Sequence, residues 1–283
     1  MKYAFFGTPD FAAQLLAGLI RRGLPPALVV TNPDRPAGRR QNLSAPPLKF
    51  FAEANGLPVL QPVKPADITP DLAGFDLFVV AAYGKVLPHS LLELPRRGTI
   101  GWHPSLLPKY RGPAPMQSAI LDGAPETGVT LYLLGDGLDD GPILVQRVLP
   151  LGSQTNSELQ LQCADLGAEM LAEAIPRFLR GEIKPLPQPP DGATYTRKFT
   201  SADGYVEPAD LDSTLNGQVP EKVLAIWRKI RALNPEPGTW TIWRGQRVKL
   251  LRAILTDGSL RLTEIHRAGK AAQVPPRDFA DGL

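Results

Sequence analysis

The sequence predicts an open α/β domain followed by a small antiparallel β unit, and three observations carry that reading. Short, nearly continuous apolar runs alternate with helically spaced segments through the first two-thirds of the chain. Such runs, without polar alternation, belong to parallel strands buried on both faces under covering helices. The last stretch, PGTWTIWRGQRVKLLRAILTDGSLRLTEIH, instead alternates apolar and polar residues around Arg-Gly and Asp-Gly pairs, the pattern of antiparallel hairpins. Finally, 283 residues are comfortable for two domains.

The elements follow in order. KYAFF is the first strand; Thr8 is placed to cap the helix FAAQLLAGLIRRG, Pro9 suits its first turn, and Gly23 stops it. ALVVT, LPVLQ, DLFVVAAY, GTIGWH and GVTLYLL read as further strands, with helices near PPLKFFAEANG, PHSLLEL and APMQSAILDG. A long helix runs from about Asn156 to Arg180. The stretch from Glu182 to Pro220, dense in Pro, Gly and Asp, reads as a linker ahead of the helix EKVLAIWRKIRAL.

Composition narrows the class. Apolar content of 43% and charged content of 21% are those of a globular protein. The opening run is too short for a signal peptide and no stretch sustains the ~18 apolar residues of a membrane span, so a cytoplasmic protein away from membranes is expected. The single cysteine, Cys163, lies in a helical run and is expected as a buried thiol; neither an internal disulfide nor a zinc site follows. Residues 220–283 hold 12 Lys/Arg against 6 Asp/Glu, a net of +6, while the rest of the chain is mildly acidic. A basic tail unit suits a polyanionic partner and equally a solvated basic face. FFGTPDF lacks the G-x-G-x-x-G pattern, so no dinucleotide site is indicated.

The chain has three histidines. His89 starts a surface helix and His266 sits in the β tail. His103 ends a buried strand and enters the rigid loop PSLLP, as befits a preorganised site, although a structural role fits the same pattern. The run GDGLDDG offers Asp136, Asp139 and Asp140, any of which could orient His103 and raise its pKa. A Ser/His/Asp hydrolase using Ser105 is the rival, weakened by the absence of a G-x-S-x-G elbow. Residues 31–47 read as a structureless run whose Arg35, Arg39 and Arg40 suit phosphate contact or plain exposure.

FFGTPDFA, TNPDRPAGR, VVAAYGKVLP, WHPSLLPKYRGPAPMQSAI, TGVTLYLLGDGLDDG and IRALNPEPGTW together resemble the bacterial methionyl-tRNA formyltransferase family over nearly the whole chain. The resemblance implies a Rossmann-like domain at 1–187, a linker at 188–206, and an OB-like, abbreviated tRNA-binding barrel at 207–283. It implies transfer of a formyl group from 10-formyltetrahydrofolate to initiator methionyl-tRNA by a metal-free monomer. An amino-sugar N-formyltransferase and an impaired folate- or tRNA-binding homologue are the alternatives. His103 aligns with the family's catalytic histidine, expected as an imidazolium donating to the oxyanion, and Asp139 with its catalytic aspartate. Ser105, Leu106, Leu107 and Pro108, with Tyr83, Gly84, Val86 and Leu87, align with folate-binding segments, and Arg39, flanked by Arg35 and Arg40, with a tRNA-contacting loop.

One departure stands out. The family usually carries Asn where this chain has Gly101, two residues before His103 and on the same strand face. Losing one oxyanion donor costs about 10²–10³ in rate. Glycine is therefore expected to leave room for water and to slow the enzyme, and an Asn at 101 to restore it.

Overall fold

The computed structural model describes residues 1–37, 42–216, 219–276 and 279. The order is β1 (Tyr3–Gly7), α1 (Asp10–Arg21), β2 (Leu28–Val30), β3 (Arg35–Ala37), β4 (Asn42–Ser44), α2 (Pro47–Ala54), β5 (Val59–Leu60) and β6 (Leu77–Ala81). There follow α3 (His89–Leu92), β7 (Thr99–His103), α4 (Pro115–Asp122), β8 (Glu126–Leu133), β9 (Ile143–Pro150), α5 (Asn156–Leu179), α6 (Pro208–Leu215), α7 (Pro220–Leu233), β10 (Trp240–Trp243), β11 (Gln246–Thr256) and β12 (Ser259–Arg267). The chain divides into two compact units. One comprises Met1–Gly112, Gly128–Leu149 and Gln160–Tyr195; the other comprises Pro113–Thr127, Pro150–Leu159 and Thr196–Leu283.

The main sheet has seven strands in the order β5-β2-β1-β6-β7-β8-β9. Pairing is parallel from β5 to β7 and turns antiparallel at β8. The chain winds outward from β1 in one direction, then returns to β6 and winds in the other. The switch point therefore lies at the carboxyl ends of β1 and β6, where open α/β sheets bind ligands. Phe6, Phe78, Tyr83, Leu87 and Leu91 fill a buried cluster. Cys163 is buried, and the lack of solvent pushes its thiol pKa up to about 12.

The C-terminal unit packs α6 and α7 on a three-stranded antiparallel sheet, with Val223, Ile226, Ile230, Val248, Leu250 and Ile265 in its core. Its turns are the anticipated Arg244-Gly245 and Asp257-Gly258 pairs, all four residues at positive φ as type I′ hairpins require. Arg247 lies over Trp240 at 4.0 Å, so part of the basic charge rests on aromatic faces.

Four local readings change. Thr8 does not cap α1: Pro9 holds the cap position and the Thr8 hydroxyl donates to the Tyr83 carbonyl at 3.0 Å. A helix end left without a side-chain cap yields here to a tie between two strand ends. The run 31–47 is not structureless, since β3 and β4 pair antiparallel with Arg35 opposite Ser44. The GDGLDDG loop leads directly into an eight-residue strand, β9, which alternation in ILVQRVLP could have flagged. Within the linker-like stretch, α6 forms, and Leu186 exchanges backbone hydrogen bonds with Ile143 at 2.7 and 2.8 Å. Proline-rich segments suit such edge straps because they need few ladder donors. Among the described residues no helix is long and apolar enough to cross a membrane.

Helices α1 and α5 approach closely where Gly18 faces Ala168: a Cβ on Gly18 would lie 2.5 Å from the Ala168 Cβ. Helix propensity favours Ala over Gly by about 1 kcal/mol, but overpacking costs about 1–3 kcal/mol. Gly18→Ala is expected to lower the urea midpoint with an unchanged m-value.

Candidate active site

The site is built on the one antiparallel junction of the main sheet that β7 makes. Its register sets Gly101 opposite Tyr132, Trp102 opposite Leu131 and His103 opposite Thr130. Side chains alternate along strands, so positions 101 and 103 of β7 share a face with 130 and 132 of β8.

Thr130 ties down the loop after His103. Its hydroxyl donates to the Ser105 carbonyl at 2.6 Å and accepts from the Leu107 amide at 3.1 Å and from Gln146 at 2.9 Å. Gln146 also donates to the Leu107 carbonyl at 2.7 Å. The Ser105 hydroxyl is fully buried and donates to the Lys109 carbonyl at 2.6 Å. It therefore closes the loop rather than facing a ligand, which also removes the Ser105 nucleophile reading. The Leu107–Pro108 peptide is cis.

His103 is buried, with its Nε2 2.8 Å from the Tyr110 carbonyl. A carbonyl can only accept, so Nε2 carries the hydrogen and the neutral ring presents a lone pair at Nδ1. That Nδ1 faces Asp139 Oδ2 at 3.7 Å, too long for a direct hydrogen bond. Burial lowers the His103 pKa, outweighing the opposing pulls of the Asp139 charge and the Tyr110 carbonyl. The carboxylate acts in the anticipated direction, but desolvation is the larger effect, so the resting ring favours the neutral form over the expected imidazolium.

Asp139 is gripped from three sides. Oδ2 accepts from the Gly112 amide at 2.7 Å and Oδ1 from the Tyr132 hydroxyl at 2.6 Å. Its backbone sits at φ +50°, and its carbonyl accepts from Gln188 Nε2 at 2.8 Å. Arg111 in turn donates to Gln188 Oε1 at 2.6 and 3.1 Å. A non-glycine residue at positive φ stores about 1–3 kcal/mol and persists only when its surroundings over-determine it. Ala82 and Tyr110, in the loops after β6 and β7, share that strain.

The other carboxylates go elsewhere. Asp136 pairs with His89 at 2.9 Å on the surface, and Asp140 folds back over Gly137. At the switch point, Asn32 donates to Thr8 and to the Tyr83 carbonyl at 2.9 and 2.7 Å. In the loop that follows β6, Tyr83 and Leu87 turn into the core while Gly84 and Val86 face solvent. Burial raises the Tyr83 phenol to about 12. Arg35 is exposed on β3; Arg39 and Arg40 lie outside the described residues. Among the described residues no three His, Cys, Asp or Glu side chains gather as a metal site.

The space beside Gly101 is not open. A Cβ there would lie 2.3 Å from Leu134 Cδ1 and 2.5–2.6 Å from the Tyr132 ring. The expected water-sized gap is thus corrected: a cross-strand aromatic covers the glycine, and an Asn at 101 has no room. Sequence reading missed Tyr132, Thr130, Gln146 and Gln188. Tyr132 reads as one more apolar strand residue until the register puts it opposite a glycine, and Gln188 lies in a linker-like composition.

The formyl transferase family model matches residues 1–175, and its C-terminal domain model matches 221–279. The methionyl-tRNA formyltransferase of Halalkalibacterium halodurans is 41% identical over 312 aligned positions, covering 100% of this chain and 95% of the relative. The chain belongs to this family. It is accordingly an enzyme of one-carbon formyl transfer. The namesake from Dechloromonas aromatica is 38% identical, with 100% and 96% covered. Among solved structures, HypX from Aquifex aeolicus in complex with tetrahydrofolic acid overlays with a TM-score of 0.66 at 20% identity. That overlay covers all of this chain, which spans 48% of HypX. An N-formyltransferase from Helicobacter canadensis, complexed with folinic acid and dTDP-3-aminofucose, gives 0.63 at 19% identity, covering 91% of this chain and 88% of that one. At such identities the overlays speak for the shared fold, a Rossmann-like α/β domain followed in sequence by a small β domain.

Relieving the crowding at Gly101 should couple to Tyr132. Gly101→Ala is expected to cost about 1–3 kcal/mol in denaturant unfolding. Part of that cost should vanish when it is measured against Tyr132→Ala as the starting protein, the contact with Leu134 accounting for the rest.

Proposed function

We propose that this formyl transferase moves the formyl group of 10-formyltetrahydrofolate to the α-amino group of methionine on initiator tRNA. The observation that carries the reading is the His103–Asp139 arrangement at the end of β7. There an acceptor nitrogen and an acceptor oxygen face each other across 3.7 Å, a place for an N–H group. As the amine nitrogen bonds to the formyl carbon it must lose a proton. His103 Nδ1 takes that proton, and Asp139 stabilises the imidazolium so formed. The same imidazolium returns the proton to the departing folate nitrogen, so the ring ends neutral, as it began. Negative charge on the formyl oxygen is not met by a side chain at 101.

The folate co-substrate would lie along the loops after β6 and β7. Leu106 to Pro108 would meet it largely through backbone and apolar surface, since the Ser105 hydroxyl is already used within the loop. The exposed Gly84 and Val86 suit the same contact, while Tyr83 and Leu87 shape its wall from within the core. Arg35, with Arg39 and Arg40, and the basic C-terminal unit would contact tRNA phosphates. The reading gains support from methionyl-tRNA formyltransferases 38–41% identical to this chain across most of its length. The domain limits 1–187, 188–206 and 207–283, and a monomeric state, belong to the same proposal.

Incubation with 10-formyltetrahydrofolate and charged initiator tRNA should yield formyl-methionyl-tRNA, and an amino-sugar nucleotide should compete poorly as acceptor. No product at high enzyme concentration, or preference for the sugar, would overturn the proposal. Because burial holds the His103 pKa below its ordinary 6.5, the ring stays neutral, and kcat is expected to fall only on the acid side of that value. His103→Gln should remove that limb and cost about 10²–10⁴ in kcat.

A further inference from the structure

We propose that Tyr132 is a positioning residue for formyl transfer, its ring filling the volume a side chain at 101 would take and its hydroxyl clamping Asp139 toward His103. This rests on the proposed chemistry at His103 and Asp139.

Gly101 and Tyr132 are direct partners across β7 and β8, and the tyrosine ring, with Leu134, crowds the place a Cβ at 101 would take. The two residues form a reciprocal pair in which one strand gives up its side chain and the other supplies a large one. The ring is buried, so its place is set by packing against Gly101 and Leu134 rather than by solvent.

Burial first, then the Asp139 and Asp140 charges, keep the phenol protonated well above its ordinary pKa. Tyr132 therefore stands as a hydrogen-bond donor to Asp139. Its hydrogen bond to Asp139 Oδ1 leaves Oδ2 as the oxygen on the His103 side, where the Gly112 amide also holds it. Two donors on opposite oxygens fix the plane of the carboxylate, which one amide alone would let rotate. A carboxylate held in one plane keeps its distance to Nδ1 constant while the proton moves, and positional errors of about 1 Å can cost about a hundredfold in rate. Gly101 thus marks a different way of building the site rather than a missing part.

Tyr132→Phe keeps the ring and removes only the donor. We expect kcat to fall about ten- to a hundredfold, the range for a hydrogen bond to a charged group, with KM for both substrates within about twofold. In Asp139→Ala the same change should cost less than about twofold, because the residue through which Tyr132 acts is gone. Unchanged kcat in Tyr132→Phe, or an equal loss in both backgrounds, would overturn the inference. A second measurement needs no substrate: NMR titration of His103 in the free protein. Without the phenol, more of the Asp139 charge faces the ring, so the His103 pKa should rise in Tyr132→Phe; an unmoved titration would overturn the clamp. Should the wild type fail to formylate methionyl-tRNA, the acceptor reading falls while this titration still decides the role of Tyr132.

Discussion

The antiparallel pairing of β7 with β8 is the constraint on which the rest of the site depends. It alone brings Gly101 opposite Tyr132 and His103 opposite Thr130. Because side chains alternate along strands, a slip of one residue would turn His103 to the other face and uncover Gly101. Thr130 then holds the loop beyond His103, and the chain leaving β8 returns Asp139 to the imidazole. Strand register, loop closure and acid–base pair are consequences of one ladder.

At His103 two electrostatic effects compete, and burial wins. A carboxylate 3.7 Å away favours the imidazolium, yet the ring is so enclosed that its pKa is lowered. Such a pairing suits a group that must be neutral before the reaction and charged during it. The aspartate contributes most when a proton arrives, and the desolvated ring does not hold one beforehand. The fixed Nε2–H bond to Tyr110 leaves a single nitrogen for the work.

Strain is distributed unevenly. Three non-glycine residues at positive φ, Ala82, Tyr110 and Asp139, lie in loops following β6, β7 and β8. Among the described residues the other two, Arg244 and Asp257, sit in hairpin turns of the C-terminal sheet where the turn type requires them. Gln188, itself held by Arg111, and the ties at Thr8 and Asn32 hold the loops of the first group in place. The stability that the core supplies is spent in part on preorganising strand ends.

The sequence by itself determined the alternation of buried strands and helices, the β tail with its Arg-Gly and Asp-Gly turns, the buried Cys163 and the prominence of His103. These follow from local periodicity and turn chemistry, which neighbouring residues are enough to specify. Which of three aspartates meets His103, whether the ring is charged, and what lies over Gly101 were decided only by the tertiary structure. Each depends on strand register and on burial, which bring together residues up to tens of positions apart. Composition does not discriminate where the same residues serve two ends: proline and glycine in 182–220 suit a free linker and a strap alike. Gly101 shows the limit most plainly, since a glycine in sequence looks like a vacancy, and only the paired strand reveals that Tyr132 fills it.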